Sequence, residues 1–220
     1  MSSLKLITID GPAASGKSSV SRLLASKLGW KWVSTGAFYR GLALVALENS
    51  VAADNESALI ELAASGNWQI EMTSGDTQVI IDGGNKTEKI AGEDVGAMAS
   101  QISQIPGVRR ALLERQRNCF KEEVGLVAEG RDCGTVVFPQ ATAKIYLTAS
   151  PALRAQRRSV EDSNTQEITQ ELQRLRDEQD SKRKVAPLKV ADGALTIDSS
   201  FLSLDEVVEE ALNYYNSQKS

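Results

Sequence analysis

A glycine-rich stretch near the start of the chain has the residue types and spacing of a phosphate-binding loop. Gly11, Gly16, Lys17 and Ser18 satisfy the pattern G-x-x-x-x-G-K-[ST]. In such a loop the main-chain amides and a helix N-terminus face an anion, the lysine reaches the β- and γ-phosphates, and the following hydroxyl binds Mg²⁺. We therefore expect this segment to bind a nucleoside triphosphate and Ser18 to bind Mg²⁺. The segment, called the phosphate loop below, consists of Gly11, Pro12, Ala13, Ala14, Ser15, Gly16, Lys17, Ser18 and Ser19.

Arginines at predicted strand and helix ends form a second group with chemical potential. A single surface arginine usually contributes only a weak ion pair. Arg131, however, follows a predicted central strand, and open parallel sheets bind ligands at the carboxyl ends of their strands. Guanidinium groups that converge on one crevice suit phosphates, because their planar fork matches phosphate oxygens. The arginines in question are Arg40, Arg109, Arg131, Arg157, Arg158, Arg176 and Arg183.

Acidic and basic catalysts are less evident. Asp10 directly precedes the phosphate loop, where it acts either as a catalytic group or as an acceptor that orders a loop. No apolar strand ending in Asp supplies a clear second metal ligand. The chain has no histidine, which excludes a Ser-His-Asp triad and His-ligated zinc. Phosphoryl transfer needs positioning and charge neutralisation more than a proton-transfer group, so it remains the favoured chemistry.

Composition limits the partners and the compartment. The 220 residues are 41% hydrophobic, enough for one core and a single domain. A net charge of −4 argues against a general nucleic-acid binder. The apolar run at the N-terminus is too short for a signal peptide or a membrane span, and two cysteines indicate a reduced compartment and packing roles. We expect a cytoplasmic monomer with no membrane or nucleic-acid partner.

Alternating strand and helix patterns position the candidate residues. Five apolar strand patterns alternate with helical ones, which predicts a parallel sheet covered by helices on both faces. Ser34 and Thr35 are expected to cap a helix, and Ser203 with Glu206 to form a capping box. Alternation on both sides of "SGD" predicts a hairpin within 67–84, inside a β-rich insertion at roughly 62–95.

The charged segment 157–184 admits two interpretations. Helical patterns lie on both sides of the polar turn "EDSNT". The segment is either a solvated helical hairpin with i to i+4 ion pairs, or a mobile lid whose arginines close over a transferring phosphoryl group. We favour the lid, because these arginines otherwise lack a counter-charge in the sequence.

Six stretches together resemble the bacterial cytidylate kinases, a branch of the nucleoside monophosphate kinases, over nearly the whole chain. They are "IDGPAASGKSS", "STGAFYRGLAL", "ASQISQIPGVRRALLERQR", "AEGRDCGTVVFP", "KIYLTAS" and "RDEQDSKRKVAPL". The resemblance implies an α/β fold of the P-loop NTP hydrolase type, with a five-stranded parallel sheet flanked by helices. It also implies one kinase domain over 1–220, a monophosphate-binding part at about 35–110 that includes the β-rich insertion, and a short helical lid at about 157–167.

The resemblance further implies a reaction and a set of site residues. ATP and CMP or dCMP would give ADP and CDP or dCDP, with Mg²⁺. Lys17, Arg131, Arg157 and Arg158 are the expected catalytic residues. Among the expected substrate-binding residues, Thr35 lies near the acceptor, and Arg40 and Arg131 bind its phosphate. Ser100 and Arg109 reach the cytosine edge, and Asp132 holds the base or the arginines. Asp180 binds the pentose, and Arg176 and Arg183 bind phosphate or sugar.

Two other functions remain open from the residues alone. A kinase of similar fold could act on a sugar or an acid, in which case ATP would bind without phosphorylation of CMP. A nucleotide-dependent switch would retain its product and expose a partner-binding patch. No large apolar patch is evident in the sequence, which disfavours the switch.

Overall fold

A five-stranded parallel sheet forms the centre of the protein. The computed structural model describes residues 3–121, 124–162, 178 and 185–219, with the side chains of 158–162 outside that description. The strands are β1 (Leu6–Asp10), β2 (Lys31–Ser34), β6 (Leu126–Gly130), β7 (Ala143–Thr148) and β8 (Leu195–Asp198), in the order β2-β6-β1-β7-β8. The predicted sheet is therefore confirmed. No helix in the described ranges is long and apolar enough to cross a membrane.

Helices cover both faces of this sheet. They are α1 (Lys17–Leu28), α2 (Gly36–Glu48), α3 (Glu56–Ala64), α4 (Glu93–Ile102), α5 (Pro106–Arg117), α6 (Pro151–Asp162) and α7 (Leu204–Ser217). Successive side chains of β1 point to opposite faces, so that Leu6 packs with α2, α4 and α5 while Ile7 and Ile9 pack with α1 and α7. The two resulting cores hold β1, and the phosphate loop that follows it, in the middle of the molecule.

A small antiparallel sheet is attached beside α2. Its strands are β3 (Trp68–Met72), β4 (Thr77–Ile81) and β5 (Gly84–Asn85). Trp68 is buried against Gly41 of α2, where a Cβ atom would come within 3.2 Å of the indole ring. The Arg115 guanidinium lies 4.0 Å from the centre of the same ring. The predicted hairpin is thus present, and Trp68 fixes it to α2 and α5.

Helix termini follow the predictions with one exception. Ser203 and Glu206 form the expected capping box at α7. Thr35 occupies the N-cap position of α2, as expected, but makes no side-chain capping bond. The Thr35 hydroxyl instead donates to the Glu129 carbonyl oxygen at 2.8 Å, because β2 and β6 are neighbours in the sheet. The helical pattern that follows the polar turn "EDSNT" lies outside the described residues apart from residue 178.

Candidate active site

A cavity of about 400 Å³ opens at the carboxyl ends of β1, β2 and β6. Open parallel sheets bind ligands at this edge, and the volume is in the range of small-molecule sites. The phosphate loop forms one wall, and the others come from α2, α4, α5 and the turn after β6. The lining residues are Ala13, Ala14, Gly16, Lys17, Ser18, Ser19, Ser34, Thr35, Gly36, Tyr39, Arg40, Gly96, Ala99, Ser100, Ser103, Arg109, Glu129, Gly130, Arg131 and Asp132.

The phosphate loop is shaped by its two pattern glycines. A Cβ atom at Gly11 would lie 2.0 Å from the Leu147 carbonyl oxygen of β7. Gly16 has a φ of 92°, a conformation that side chains with a Cβ rarely adopt. Gly16 is also the N-cap of α1, so the positive end of this helix opens into the cavity. The Lys17 ammonium donates to the Pro12 carbonyl oxygen at 2.6 Å, which holds it across the loop.

A buried carboxylate stands beside the phosphate loop. Glu129 of β6 pairs in register with Ile9 of β1 and is 3% exposed. The Ser18 hydroxyl donates to Glu129 Oε1 at 2.7 Å. The other oxygen, Oε2, is buried and has no hydrogen-bond partner among the described residues. Because an unmade hydrogen bond on a buried charged group is costly, this oxygen is suited to accept from a donor or to contact a cation.

A buried ion pair forms the opposite wall. Arg109 Nη2 donates to Asp132 Oδ2, and Arg109 Nη1 donates to the Ser103 carbonyl oxygen at 3.1 Å. The guanidinium carbon lies 5.5 Å from the centre of the Tyr39 ring. Both charged residues are less than a tenth exposed. Since each neutralises the other, they hold a fixed, polar surface in the cavity wall.

The cavity carries an excess of positive charge. Its lining includes four basic side chains, Lys17, Arg40, Arg109 and Arg131, against the two acids Glu129 and Asp132. Arg40 Nη1 donates to the Ile90 carbonyl oxygen at 2.5 Å. This balance favours an anionic ligand with more than one phosphate group.

Asp10 orders the turn that follows β6. Its Oδ1 accepts from the Cys133 amide at 2.8 Å, and its Oδ2 accepts from the Gly134 amide at 2.7 Å. Both amides belong to a π-helical turn, Cys133–Val137. Burial raises the pKa of Asp10 to about 6, the two amide bonds oppose that shift, and nearby Asp132 adds to it. The sequence left Asp10 either as a catalytic group or as an acceptor that orders a loop, and its two bonds are those of an acceptor. The turn that it orders is distant in sequence from the phosphate loop.

The start of α6 is bonded to the phosphate loop from outside the cavity. Arg154 Nη1 donates to the Ala13 carbonyl oxygen at 3.3 Å. Arg157 donates to the Ser199 hydroxyl at 3.2 Å and to its carbonyl oxygen at 3.3 Å. The Ser199 hydroxyl in turn donates to the Ser15 carbonyl oxygen at 3.2 Å. The loop after β8 and the base of the predicted lid therefore both support the phosphate loop.

Comparison with known proteins decides the family. The family model described as cytidylate kinase matches residues 7–217. The chain belongs to the cytidylate kinase family. It is 52% identical over 213 residues to the cytidylate kinase of Bdellovibrio bacteriovorus, with 97% of this chain and 98% of that protein covered. It is 46% identical over 223 residues to the cytidylate kinase of Colwellia psychrerythraea, with 98% of each chain covered.

A solved structure shares the fold at low sequence identity. An uncharacterized protein from Eubacterium ventriosum superposes with a TM-score of 0.56 at 11% identity, over 96% of this chain and 98% of that one. Likeness at this identity concerns the fold alone. The family resemblance and the fold class predicted from the sequence are both confirmed.

Within the cytidylate kinase site, the structure brings together most of the predicted residues that it describes. Those that line the cavity are Ala13, Ala14, Gly16, Lys17, Ser18, Ser19, Thr35, Arg40, Ser100, Arg109, Arg131 and Asp132. Gly11, Pro12 and Ser15 belong to the loop without lining the cavity, and Arg157 lies behind it. The Arg158 side chain and the residues Arg176, Asp180 and Arg183 lie outside the described part of the chain.

Among the residues that sequence reasoning missed at this site, three contribute side-chain contacts. Glu129 is the next-to-last residue of the apolar strand "LVAEG", and a search for an acid of either type near a strand end would have found it. Arg154 lies one helical turn before Arg157 and Arg158, so helical spacing was its signal. Tyr39 lies in "GAFYR" between two predicted residues and offered no separate signal.

The two cysteines are free thiols, one buried and one half-buried. Cys133 lies in the core under Thr35, with its Sγ 3.4 Å from the Thr35 hydroxyl oxygen. Burial raises the pKa of Cys133 well above its usual value and that of Cys119 to about 12. Thiols of this kind are unreactive at neutral pH, in agreement with packing roles.

Proposed function

We propose that this chain transfers the γ-phosphoryl group of ATP to CMP or dCMP, which yields ADP and CDP or dCDP in pyrimidine nucleotide metabolism. The observation that carries the proposal is a single cavity that joins the phosphate loop to a wall of arginines, in a chain of the cytidylate kinase family. Two phosphate-bearing substrates need two cationic surfaces that face each other across the reacting group. Such a site performs its chemistry by alignment and charge neutralisation.

The phosphate loop takes the donor. Its amides and the α1 N-terminus bind the ATP phosphates, and Lys17 turns from the Pro12 carbonyl oxygen toward the β- and γ-phosphates. Arg154 and the Ser199 hydroxyl keep the loop carbonyl oxygens on the outer side, so the amides stay directed inward. Arg157, which must first leave its bonds to Ser199, and Arg158 neutralise the transferring group from the lid side.

Ser18 and Glu129 would hold Mg²⁺. The fit rests on the uncompensated Glu129 Oε2 next to the Ser18 hydroxyl, a pair of hard oxygen donors that this cation prefers. Mg²⁺ supplies neutralisation of the charge that develops on the β- and γ-phosphate oxygens. Glu129 itself is held by its strand and by Thr35, whose hydroxyl bonds its carbonyl oxygen.

The opposite wall takes the acceptor. Arg40 and Arg131 bind the phosphate of CMP and align it with the γ-phosphorus. Arg109, fixed by Asp132 and Tyr39, reaches the cytosine edge together with Ser100. An arginine that is already paired with an aspartate suits this role, because the orientation of its guanidinium group is set before the base binds.

The remaining assignments rest on the family resemblance. Arg176 and Arg183 bind phosphate or sugar, and Asp180 binds the pentose hydroxyls. The monophosphate-binding part extends over about 35–110, with the insertion at roughly 62–95, and the lid over about 157–167. The enzyme acts as a cytoplasmic monomer on free nucleotides, without nucleic acid or membrane.

A panel of monophosphates tests the proposal. The purified chain is incubated with ATP, Mg²⁺ and each of CMP, dCMP, UMP, AMP, a sugar or shikimate, and ADP release is followed. CMP and dCMP are expected to give the highest kcat/KM, and Lys17→Ala is expected to abolish turnover. ADP release that depends on the sugar or the acid but not on CMP would reject the function. Tight ADP retention without turnover would favour a nucleotide switch.

A further inference from the structure

Asp10 lies where the phosphate loop meets the acceptor wall, which is the side of the cavity formed by Arg40, Arg109, Arg131 and Asp132. Its main chain leads directly into the phosphate loop, and its carboxylate bonds the Cys133 and Gly134 amides. Those two residues immediately follow Arg131 and Asp132 in the chain. One side chain therefore connects the end of β1 to the turn that carries two proposed acceptor-binding residues.

The turn lies against β1 with no space for larger residues. A Cβ atom at Gly134 would lie 2.9 Å from the Thr8 hydroxyl oxygen and 3.3 Å from Asp10 Oδ2. A Cβ atom at Gly130 would lie 2.2 Å from the Thr35 hydroxyl oxygen. Gly134 thus lets the turn approach β1 closely enough for the carboxylate to bond two successive amides, and Gly130 lets the start of the turn pass close to Thr35.

We propose that Asp10 is a positioning residue of the kinase reaction, which holds the turn after β6 so that Arg131 and Asp132 face the acceptor nucleotide. This inference rests on the placement of CMP proposed above. A shift of the turn would move Arg131 and the Asp132–Arg109 pair together. The phosphate loop has its own supports in the Lys17–Pro12 bond and in the contacts from α6, so it would keep its shape.

The electrostatic environment supports a positioning role over a purely stabilising one. Asp10 is 3% exposed, and a buried carboxylate next to a second acid is an expensive way to order a turn. Burial raises the pKa of Asp10 most, the two amides lower it, Asp132 raises it further and the Cys133 thiol lowers it. Asp132 is itself paired with Arg109. The hydrogen bonds of Asp10, the main chain of the turn and this ion pair therefore connect Asp10 to the acceptor wall.

The Asp10→Asn variant tests the inference. Asparagine keeps the size of the side chain but places an NH₂ group where one carboxylate oxygen accepts an amide hydrogen bond. The KM for CMP is expected to rise about tenfold, with less than about a twofold change in the KM for ATP. Equal changes in both KM values, or no change in either, would overturn the positioning role. Asp54→Asn, on the exposed loop between α2 and α3, is the matched control and should change neither value.

Two further variants keep the result decisive. If Asp10→Asn does not fold, Gly134→Ala disturbs the same contacts from the turn and should give the same KM split. Arg40→Ala, measured in parallel, distinguishes failure of the positioning role from failure of the proposed placement of CMP. If it raises the KM for CMP while the Asp10 and Gly134 variants do not, the positioning role is wrong and the proposed function stands. If none of the three variants raises it, the placement of CMP is wrong and the positioning role fails with it.

Discussion

Two buried carboxylates end adjacent strands of the sheet, and their hydrogen bonding differs. Asp10 of β1 has both oxygens satisfied by main-chain amides. Glu129 of β6 has one oxygen bonded to Ser18 and the other without a partner among the described residues. Since β1 and β6 are neighbours, the difference does not come from depth of burial. A satisfied carboxylate keeps the protein in one arrangement, whereas an unsatisfied one is available to a ligand.

The largest expected effect concerns the ion pair beside Asp10. Arg109→Met removes the buried cation that is paired with the Asp132 carboxylate, close to a second acid. The free energy of unfolding should fall by about 3–5 kcal/mol, because removing one partner of a buried ion pair is strongly destabilising. Urea unfolding at neutral pH measures this loss. Adding Asp132→Asn to the variant should recover most of the stability, and a single variant as stable as the wild type would show that Asp132 is solvated.

The next effect concerns the unsatisfied carboxylate. Glu129→Gln keeps the shape of the side chain but removes the charge next to Ser18, so kcat should fall about 10²- to 10³-fold. The Mg²⁺ concentration needed for half-maximal activity should rise, while thermal stability should not fall. Titration of activity with Mg²⁺ tests this, with the exposed Glu114→Gln as control. A variant with wild-type kcat at every Mg²⁺ concentration would mean that Oε2 has no ligand in the reaction.

The smallest of these effects concerns the satisfied carboxylate and pH. The pKa of Asp10 is raised from 3.8 to about 6 on folding, so its contribution to stability is present below 3.8 and is lost as the pH rises through about 6. Relative to Asp10→Asn, the wild-type free energy of unfolding should therefore fall by up to about 3 kcal/mol from about pH 4 to about pH 7. Paired denaturant titrations check this. A constant difference across that range would show that Asp10 titrates normally.

The parts of the molecule that could be predicted from sequence are those that depend on local patterns. The phosphate loop, the hairpin around "SGD" and the α7 capping box depend on residues a few positions apart. The Ser18–Glu129 bond joins residues 111 positions apart, and the Asp10–Gly134 bond joins residues 124 positions apart. Both require β6 to lie beside β1, although these strands are not consecutive in the chain. Strand order, rather than any local pattern, brings these acids to the site.

The Thr35 hydroxyl illustrates the same limit. Its position before a helix predicts a cap, but the neighbouring strand offers the Glu129 carbonyl oxygen, which accepts both the Thr35 amide at 2.9 Å and the Thr35 hydroxyl at 2.8 Å. The Thr35 side chain is itself buried, and a buried hydroxyl needs an acceptor within reach. Tertiary contacts therefore redirect the side chain, and the sequence around α2 carries no sign of it.

The placement of CMP against the arginine wall is the central claim, and Arg131→Ala tests it most directly. Steady-state kinetics with ATP and CMP varied in turn give both KM values for the variant and the wild type. Loss of a guanidinium from the acceptor phosphate should raise the KM for CMP at least about tenfold and leave the KM for ATP nearly unchanged. Equal increases in the two KM values, or an increase confined to ATP, would contradict the account.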